Sequence, residues 1–267
     1  MHGFTDIHPP GNHLNSSAGP IIQVDDVSRK FGTLTAVSHV TCRVRKGELC
    51  GVVGSDGAGK TTLLRMIAGM IQPTAGNIYI NGLNNVLRNR EAKELIGYMP
   101  QRFGLYQDLT VAENFDFFMD IYGIRGAERA RRRERYLGFS NLLSFLNRKA
   151  GDLSGGMKQK LGLACILVHQ PQVLILDEPT NGVDPFSRQE FWDILREMKQ
   201  EGMSTLVSTA YLDEGEKCDL LILMHNSHVL EIAVPREIQS GFPNLEEAMI
   251  SRIEAVGNQP GEERFAN

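Results

Sequence analysis

The chain has 267 residues, 42% of them hydrophobic and 22% charged, with a formal net charge of −4. That length allows one large domain, or one domain with a small subdomain, built on a proper core. The acidic balance gives the whole molecule no electrostatic pull toward nucleic acid or anionic lipid, so no direct nucleic-acid contact is expected. Cys42, Cys50, Cys165 and Cys218 form no Cys-x-x-Cys pair, which suits free, buried thiols in a reducing compartment. No segment approaches the ~20 apolar residues of a membrane span.

In chain order, residues 1–20 lack a basic start and an apolar middle, and their Gly, Pro, Asn, Ser and His content reads as a disordered tail. His2, His8 and His13 have no partners at metal-ligand spacing. Strands are predicted over Ile21 to Val27 and Ala36 to Val44, the latter ending at the turn Lys46-Gly47. The apolar run Leu49 to Val53 then meets Gly54-Ser55-Asp56-Gly57-Ala58-Gly59-Lys60-Thr61, which fits G-x-x-x-x-G-K-[ST], and Thr62 to Ala68 has helical character. A loop of this kind between strand and helix turns backbone N–H groups onto phosphate oxygens. The helix start adds its positive dipole end. Lys60 reaches toward the β- and γ-phosphates, and Thr61 is placed to hold Mg²⁺.

Strands follow at Asn77 to Leu83, with a turn signal at Asn81-Gly82, and at Ile96 to Met99. From Leu105 the pattern turns helical, with Val111 to Tyr122 apolar at helical spacing and Glu128 to Phe139 mostly charged. The stretch of about 105–170 reads as a helical insertion. Its arginine-rich part, Arg125 to Arg135, is interrupted by Glu128 and Glu134 and reads as a solvated helix face. Lys158 to His169 is predicted as a helix, Val173 to Leu176 as a buried strand and Phe186 to Gln200 as an amphipathic helix. Ser204 to Ser208 and Leu220 to Met224 are further strands, His228 to Ala233 begins a small terminal hairpin, and Leu245 to Val256 is a last helix before a polar tail. Strands alternating with helices imply an α/β fold with a mostly parallel sheet covered on both faces.

Two features narrow the class beyond a phosphate loop. The strand ending Leu176-Asp177-Glu178 delivers two carboxylates, the first suited to a Mg²⁺ shell and the second to orienting and deprotonating water. The run Leu153-Ser154-Gly155-Gly156-Met157 opens a helix and makes a second anion-binding end. One nucleotide does not need two such ends, so this one is expected to cover the nucleotide of another subunit.

With these motifs the chain resembles the nucleotide-binding subunits of ABC transporters, from about Ile21 to about Gln239. The resemblance implies a P-loop NTPase fold with an N-terminal antiparallel β subdomain. It implies that Phe31 stacks on adenine and that Gly54, Ser55, Asp56, Gly57, Ala58, Gly59, Lys60, Thr61 and Thr62 hold the phosphates. Gln101 is matched to the glutamine that senses Mg²⁺ and links to the membrane partner. Ser154, Gly155 and Gly156 match the signature motif, Asp177 and Glu178 the Walker B end, and Asp184 the D-loop. The cofactors implied are ATP and Mg²⁺. The partners implied are a second ABC ATPase module, in a homodimer or heterodimer, and a membrane permease that is either a separate polypeptide or joined to a longer chain. The location implied is the inner face of the cell membrane. The wording around Phe103 to Tyr106 and Ser154 to Leu163 is similar to drug-exporter ATPases, especially the first module of tandem ATPases and of the ribosome-associated ATPase.

The chain departs from the pattern at three places. Ala210 stands where the family has its switch histidine and offers no donor, so efficient hydrolysis is not expected while binding is. Met157 replaces a usual Gln, removing a polar contact across the dimer. Ser55-Asp56 replaces Pro-Asn, and Asp56 is tolerable beside phosphates only if it points away. A soluble ABC ATPase acting on the ribosome is the alternative reading, and a GTPase or small-molecule kinase a third, for which no N-K-x-D motif is present. Residues 240–267 are expected to form a C-terminal helix and a tail or linker.

Overall fold

A computed structural model describes residues 19–257. The expected disordered tail up to residue 18, and the polar stretch beyond residue 257, lie outside the described residues. The elements are β1 (Ile22–Phe31), β2 (Leu34–Val44), β3 (Leu49–Gly54), α1 (Lys60–Ile67), β4 (Ala75–Ile80), β5 (Leu83–Asn84), α2 (Asn89–Glu94), β6 (Ile96–Met99), α3 (Val111–Ile121), α4 (Ala127–Phe139), α5 (Gly155–Leu167), β7 (Val173–Asp177), α6 (Pro185–Gln200), β8 (Ser204–Thr209), α7 (Leu212–Gly215), β9 (Leu220–His225), β10 (His228–Ala233), α8 (Pro235–Gln239) and α9 (Leu245–Gly257).

Two sheets result. The first is antiparallel, in the order β2-β1-β4-β5. The second runs β10-β9-β3-β8-β7-β6 and is parallel except for the edge strand β10. Parallel neighbours need crossovers: α6 supplies the one between β7 and β8, and α7 lies on the connection from β8 to β9, which passes over β3. Because helices cover both faces, the central strands are apolar without alternation and divide their side chains between two cores. On β7, Leu174 and Leu176 join the core that holds Trp192, Phe191 and Phe115, whereas Val173 and Ile175 join the core beneath α1. The order β3-β8-β7 also sets the carboxyl ends of these three strands side by side, and the site forms there.

Helix starts follow local chemistry. Thr110 and Glu113 form a reciprocal capping box on α3, and Asp184 caps α6 with Pro185 in its first turn. The helix predicted from Lys158 begins three residues earlier, at Gly155, because the Ser154 hydroxyl accepts from the Met157 N–H. β1 runs on to Phe31 past register breaks, beside which Asp26 and His39 take positive φ. The expected terminal hairpin is corrected: His228–Ala233 closes a hairpin with β9 through Asn226-Ser227, both at positive φ, rather than beginning one. The arginines of α4 are engaged in ion pairs, Arg132 with Glu128, Arg133 with Asp116, Arg129 with Asp116 and Asp120, and Arg135 with Glu201. The four cysteines are free and buried. Burial pushes the Cys42 thiol up to about 12, so it stays protonated and unreactive at neutral pH. No helix among the described residues is long and apolar enough to cross a membrane.

Candidate functional site

The glycine-rich loop leaves β3 at Gly54 and enters α1 at Lys60. Gly59 caps α1 at φ 101, and a Cβ there would stand 2.4 Å from the Ala36 carbonyl oxygen, so the loop needs glycine at that place. Lys60 is only 4% exposed. Its Nζ donates to the carbonyl oxygens of Gly54 (2.8 Å) and Ser55 (3.1 Å) and lies 3.2 Å from Glu178 Oε1. The ammonium is thus held inside the loop, with a carboxylate standing where an incoming anion would pair with it. The Asp56 side chain is 95% exposed and lies 4.0 Å from Lys60 Nζ, so its charge sits mostly in solvent at the rim.

The strand β7 brings the two carboxylates. Asp177 is fully buried; its Oδ1 accepts from the Thr61 hydroxyl (2.8 Å) and the Ser208 hydroxyl (2.9 Å). The Tyr98 hydroxyl stands 3.5 Å from Asp177 Oδ2, and burial, reinforced by that charge, raises the Tyr98 pKa so that it remains a donor. Glu178 takes φ 48 and is fixed by its N–H donating to the Ser208 hydroxyl at 3.0 Å. Its Oε2 accepts from Gln101 Nε2 (3.0 Å) and Asn181 Nδ2 (3.3 Å).

Asp56, Lys60, Thr61, Gln101, Glu178 and Asn181 line one cleft of about 510 Å³, together with Phe31, Gly57, Ala58, Gly59 and Thr62. The predicted Asp177 is not on its wall but is buried directly behind it, hydrogen-bonded to Thr61. Phe31 is 45% exposed at its mouth, with the Arg29 guanidinium 4.4 Å from the ring centroid, so it is a surface ring and not a core one. A second cavity of about 230 Å³ adjoins the first at Asp56, Glu178 and Asn181, and it ends against Thr209, Ala210 and Tyr211. The Thr61 hydroxyl and Asp177 carboxylate are hard oxygen donors within hydrogen-bonding distance of each other. Such a pair suits Mg²⁺, which binds through one or two protein oxygens when phosphates supply the rest.

The predicted residues Ser154, Gly155, Gly156 and Asp184 do not line the cleft. Ser154 caps α5. A Cβ on Gly156 would stand 2.3 Å from Ser187 Cβ, so this glycine lets α5 and α6 meet closely. Asp184 accepts from the Ser187 N–H at 2.9 Å, a bond that holds its carboxyl below the usual range. Met157 packs partly against the protein's own core, so the polar contact expected to be missing across a dimer lies at a side chain turned inward. The sequence reading missed Ser208, Asn181 and Tyr98. Each belongs to a strand end or turn with no motif of its own, and only the strand order brings it to the carboxylates.

The comparisons fit this geometry. Residues 37–181 match the family described as ABC transporter. This chain belongs to the ABC transporter family. It carries that family's ATP-binding cassette fold. The chain is 44% identical over 220 residues to the probable multidrug ABC transporter ATP-binding protein YbhF of Escherichia coli K12, covering 82% of this chain and 38% of that protein. It thus spans well under half the length of that relative. It is 35% identical over 231 residues to the Nod factor export ATP-binding protein I of Ralstonia nicotianae, covering 86% of this chain and 71% of the relative. Among solved structures, an ATP binding subunit of an ABC transporter superposes with TM-score 0.78 at 29% identity, covering 87% of this chain and 99% of that one. A dimeric bacterial ABC transporter cassette superposes with TM-score 0.72 at 27% identity, covering 80% and 98%. The same cassette is known with ADP and Pi bound.

Proposed function

We propose that this ABC ATPase is the ATP-binding subunit of a bacterial export system, in which two ATPase modules enclose ATP between them and drive an integral membrane permease from the inner face of the cell membrane. The observation that carries it is the convergence of Lys60, Thr61 and Glu178 on one cleft, with Asp177 hydrogen-bonded to Thr61 behind its wall. Export is supported by the names of the relatives, a multidrug ATP-binding protein and a Nod factor exporter. Residues 21–239 form the working domain in this reading, and 240–267 a helix and tail or linker. The alignment leaves most of YbhF unmatched, which supports a chain that resembles one module of a tandem ATPase.

The backbone of residues 54–62 and Lys60 hold the phosphates, and Phe31 supplies a stacking face for the adenine. Thr61, Asp177 and Gln101 would hold Mg²⁺, which would supply positive charge to offset that of the phosphate oxygens. Glu178 accepts a proton from water as the water oxygen bonds to the γ-phosphorus and the bond to the bridging oxygen breaks, leaving ADP. Ser154, Gly155, Gly156 and Asp184 act on the nucleotide of the opposite module, since none of them reaches the cleft of its own chain. With a methyl group at Ala210, turnover by a homodimer is low although binding is intact. The competing ribosome-associated reading has less support, because the α4 arginines are already drawn into ion pairs.

Titration with Mg²⁺-ATP tests the site. Lys60→Ala should weaken binding by about tenfold or more, since a charge-assisted contact to phosphate is lost. Unchanged affinity would remove this loop from the nucleotide site. Fractionation of the native protein with membranes rather than ribosomes tests the transport reading.

A further inference from the structure

The cavity beyond the nucleotide cleft has an uneven supply of donors. Asp56 and Glu178 are acceptors only, and Ala210 offers a methyl group. The hydroxyls of Thr180 and Thr209 both donate to the fully buried Glu214, at 2.7 and 2.6 Å. Arg188 Nε reaches the same carboxylate at 3.0 Å. Glu214 therefore ties the turn after β7 to the end of β8 and commits both threonines to structure. Two side chains with a free choice of donor remain on the cavity wall, Asn181 and Tyr211, and the Tyr211 ring lies 4.2 Å from the Arg188 guanidinium.

Asn181 is set apart from Tyr211 by its place. It lines both the cleft and the cavity, whereas Tyr211 lines the cavity alone. The Asn181 N–H donates to the Glu178 carbonyl oxygen at 3.2 Å, closing a tight turn that begins at Glu178, whose φ is 48. Its side-chain amide donates to Glu178 Oε2 at 3.3 Å, while Oε1 faces Lys60 at 3.2 Å. When a phosphate takes over the Lys60 charge, Oε1 loses its partner and the carboxylate is free to turn. Gln101 restrains it from the cleft side. From the cavity side Asn181 is the restraint.

We propose that Asn181 is a positioning residue for hydrolysis. Acting through Glu178, it holds the carboxylate at the junction of cleft and cavity and keeps it directed at the water in a site whose far wall, at Ala210, supplies no polar contact. The inference rests on the ATPase reading above. It requires that the parent protein turn over ATP slowly but in a Glu178-dependent way.

The test is a double-mutant cycle on the full chain, with Asn181→Ala, Ala210→His and the two combined, beside Tyr211→Phe, measured for Mg²⁺-ATP binding, KM and kcat. Asn181 is exposed on a turn, so its truncation leaves the core intact. Asn181→Ala should lower kcat by about 10- to 100-fold, the weight of one hydrogen bond to a charged group. KM should change by less than about threefold. Ala210→His should raise kcat more in the Asn181→Ala background than in the parent, because the imidazole then fills the cavity with the donor that was removed. Parent-level kcat in Asn181→Ala would overturn the proposal. So would strictly additive effects, a larger kcat loss in Tyr211→Phe than in Asn181→Ala, or parent turnover no faster than that of Glu178→Gln. Failure of the parent to bind Mg²⁺-ATP would instead overturn the ATPase reading itself, and this proposal with it.

Discussion

Lys60 and Glu178 form the pair on which the free site turns. Both are largely buried, and their atoms lie 3.2 Å apart. A nucleotide must bring its γ-phosphate to the ammonium that Glu178 already occupies, and two anions cannot share it without repulsion. Glu178→Gln keeps the shape of the side chain and removes the charge. Two effects of opposite sign on activity and affinity should follow. Turnover should fall by about 10²–10⁴, the range typical of a lost general base. ATP binding should tighten by roughly threefold or more, since the competitor for Lys60 has become neutral. Equilibrium binding and steady-state turnover on the same preparation check both. Looser binding in Glu178→Gln would show that the carboxylate does not compete for the loop.

At the scale of elements, what was legible in the sequence was what periodicity and fixed motifs encode. The buried strand Val173–Asp177 and the helix Pro185–Gln200 appeared within a residue of their expected bounds, since an unbroken apolar run and an apolar stripe at Phe191, Trp192, Leu195 and Met198 are strong local signals. The start of α5 was legible from the Ser154-Gly155-Gly156 motif but not from periodicity, which began the helix only at Lys158, because glycines argue against helix by propensity while the Ser154 cap and packing outweigh them. The short helices α2, α7 and α8 are too brief to show a period. Phe31, Lys60, Thr61, Gln101 and Glu178 were legible as a site, whereas Asn181 and Ser208 depend on strand order, which no local pattern carries. Packing at Gly156 gives a test at this scale. Gly156→Ala drives a methyl to within 2.3 Å of Ser187 Cβ, so α5 and α6 must part. The expected cost is about 1–3 kcal/mol, seen as a fall in Tm of about 2–4 °C per kcal/mol. In a Ser187→Gly background the same substitution should cost clearly less. An equal cost in both backgrounds would place the strain elsewhere.

On the scale of the whole molecule, the division of the site is decisive. The cleft gathers the phosphate loop and Glu178, with Asp177 held behind it by Thr61, while Ser154, Gly155, Gly156 and Asp184 lie outside it. If the signature residues serve the opposite module, two defective chains should repair each other. Lys60→Ala disables the loop and leaves the signature intact. Gly155→Asp does the reverse, and it does so without disturbing the chain's own packing. A Cβ at 155 meets nothing within 4 Å, and an acidic residue in the first turn of α5 suits the helix dipole. At that place the new carboxylate repels a γ-phosphate presented across the interface. Each variant alone should be inactive. Mixed in equal amounts, about half the dimers carry one of each chain, and each of those dimers has a single complete site. Turnover should therefore return to at most about one quarter of the parent rate. The readout is a ratio to the parent, so the low absolute rate expected with Ala210 does not weaken it. No recovery on mixing, with dimer formation confirmed by sedimentation, would mean that each chain completes its own site and that α5 has no part in its partner's chemistry.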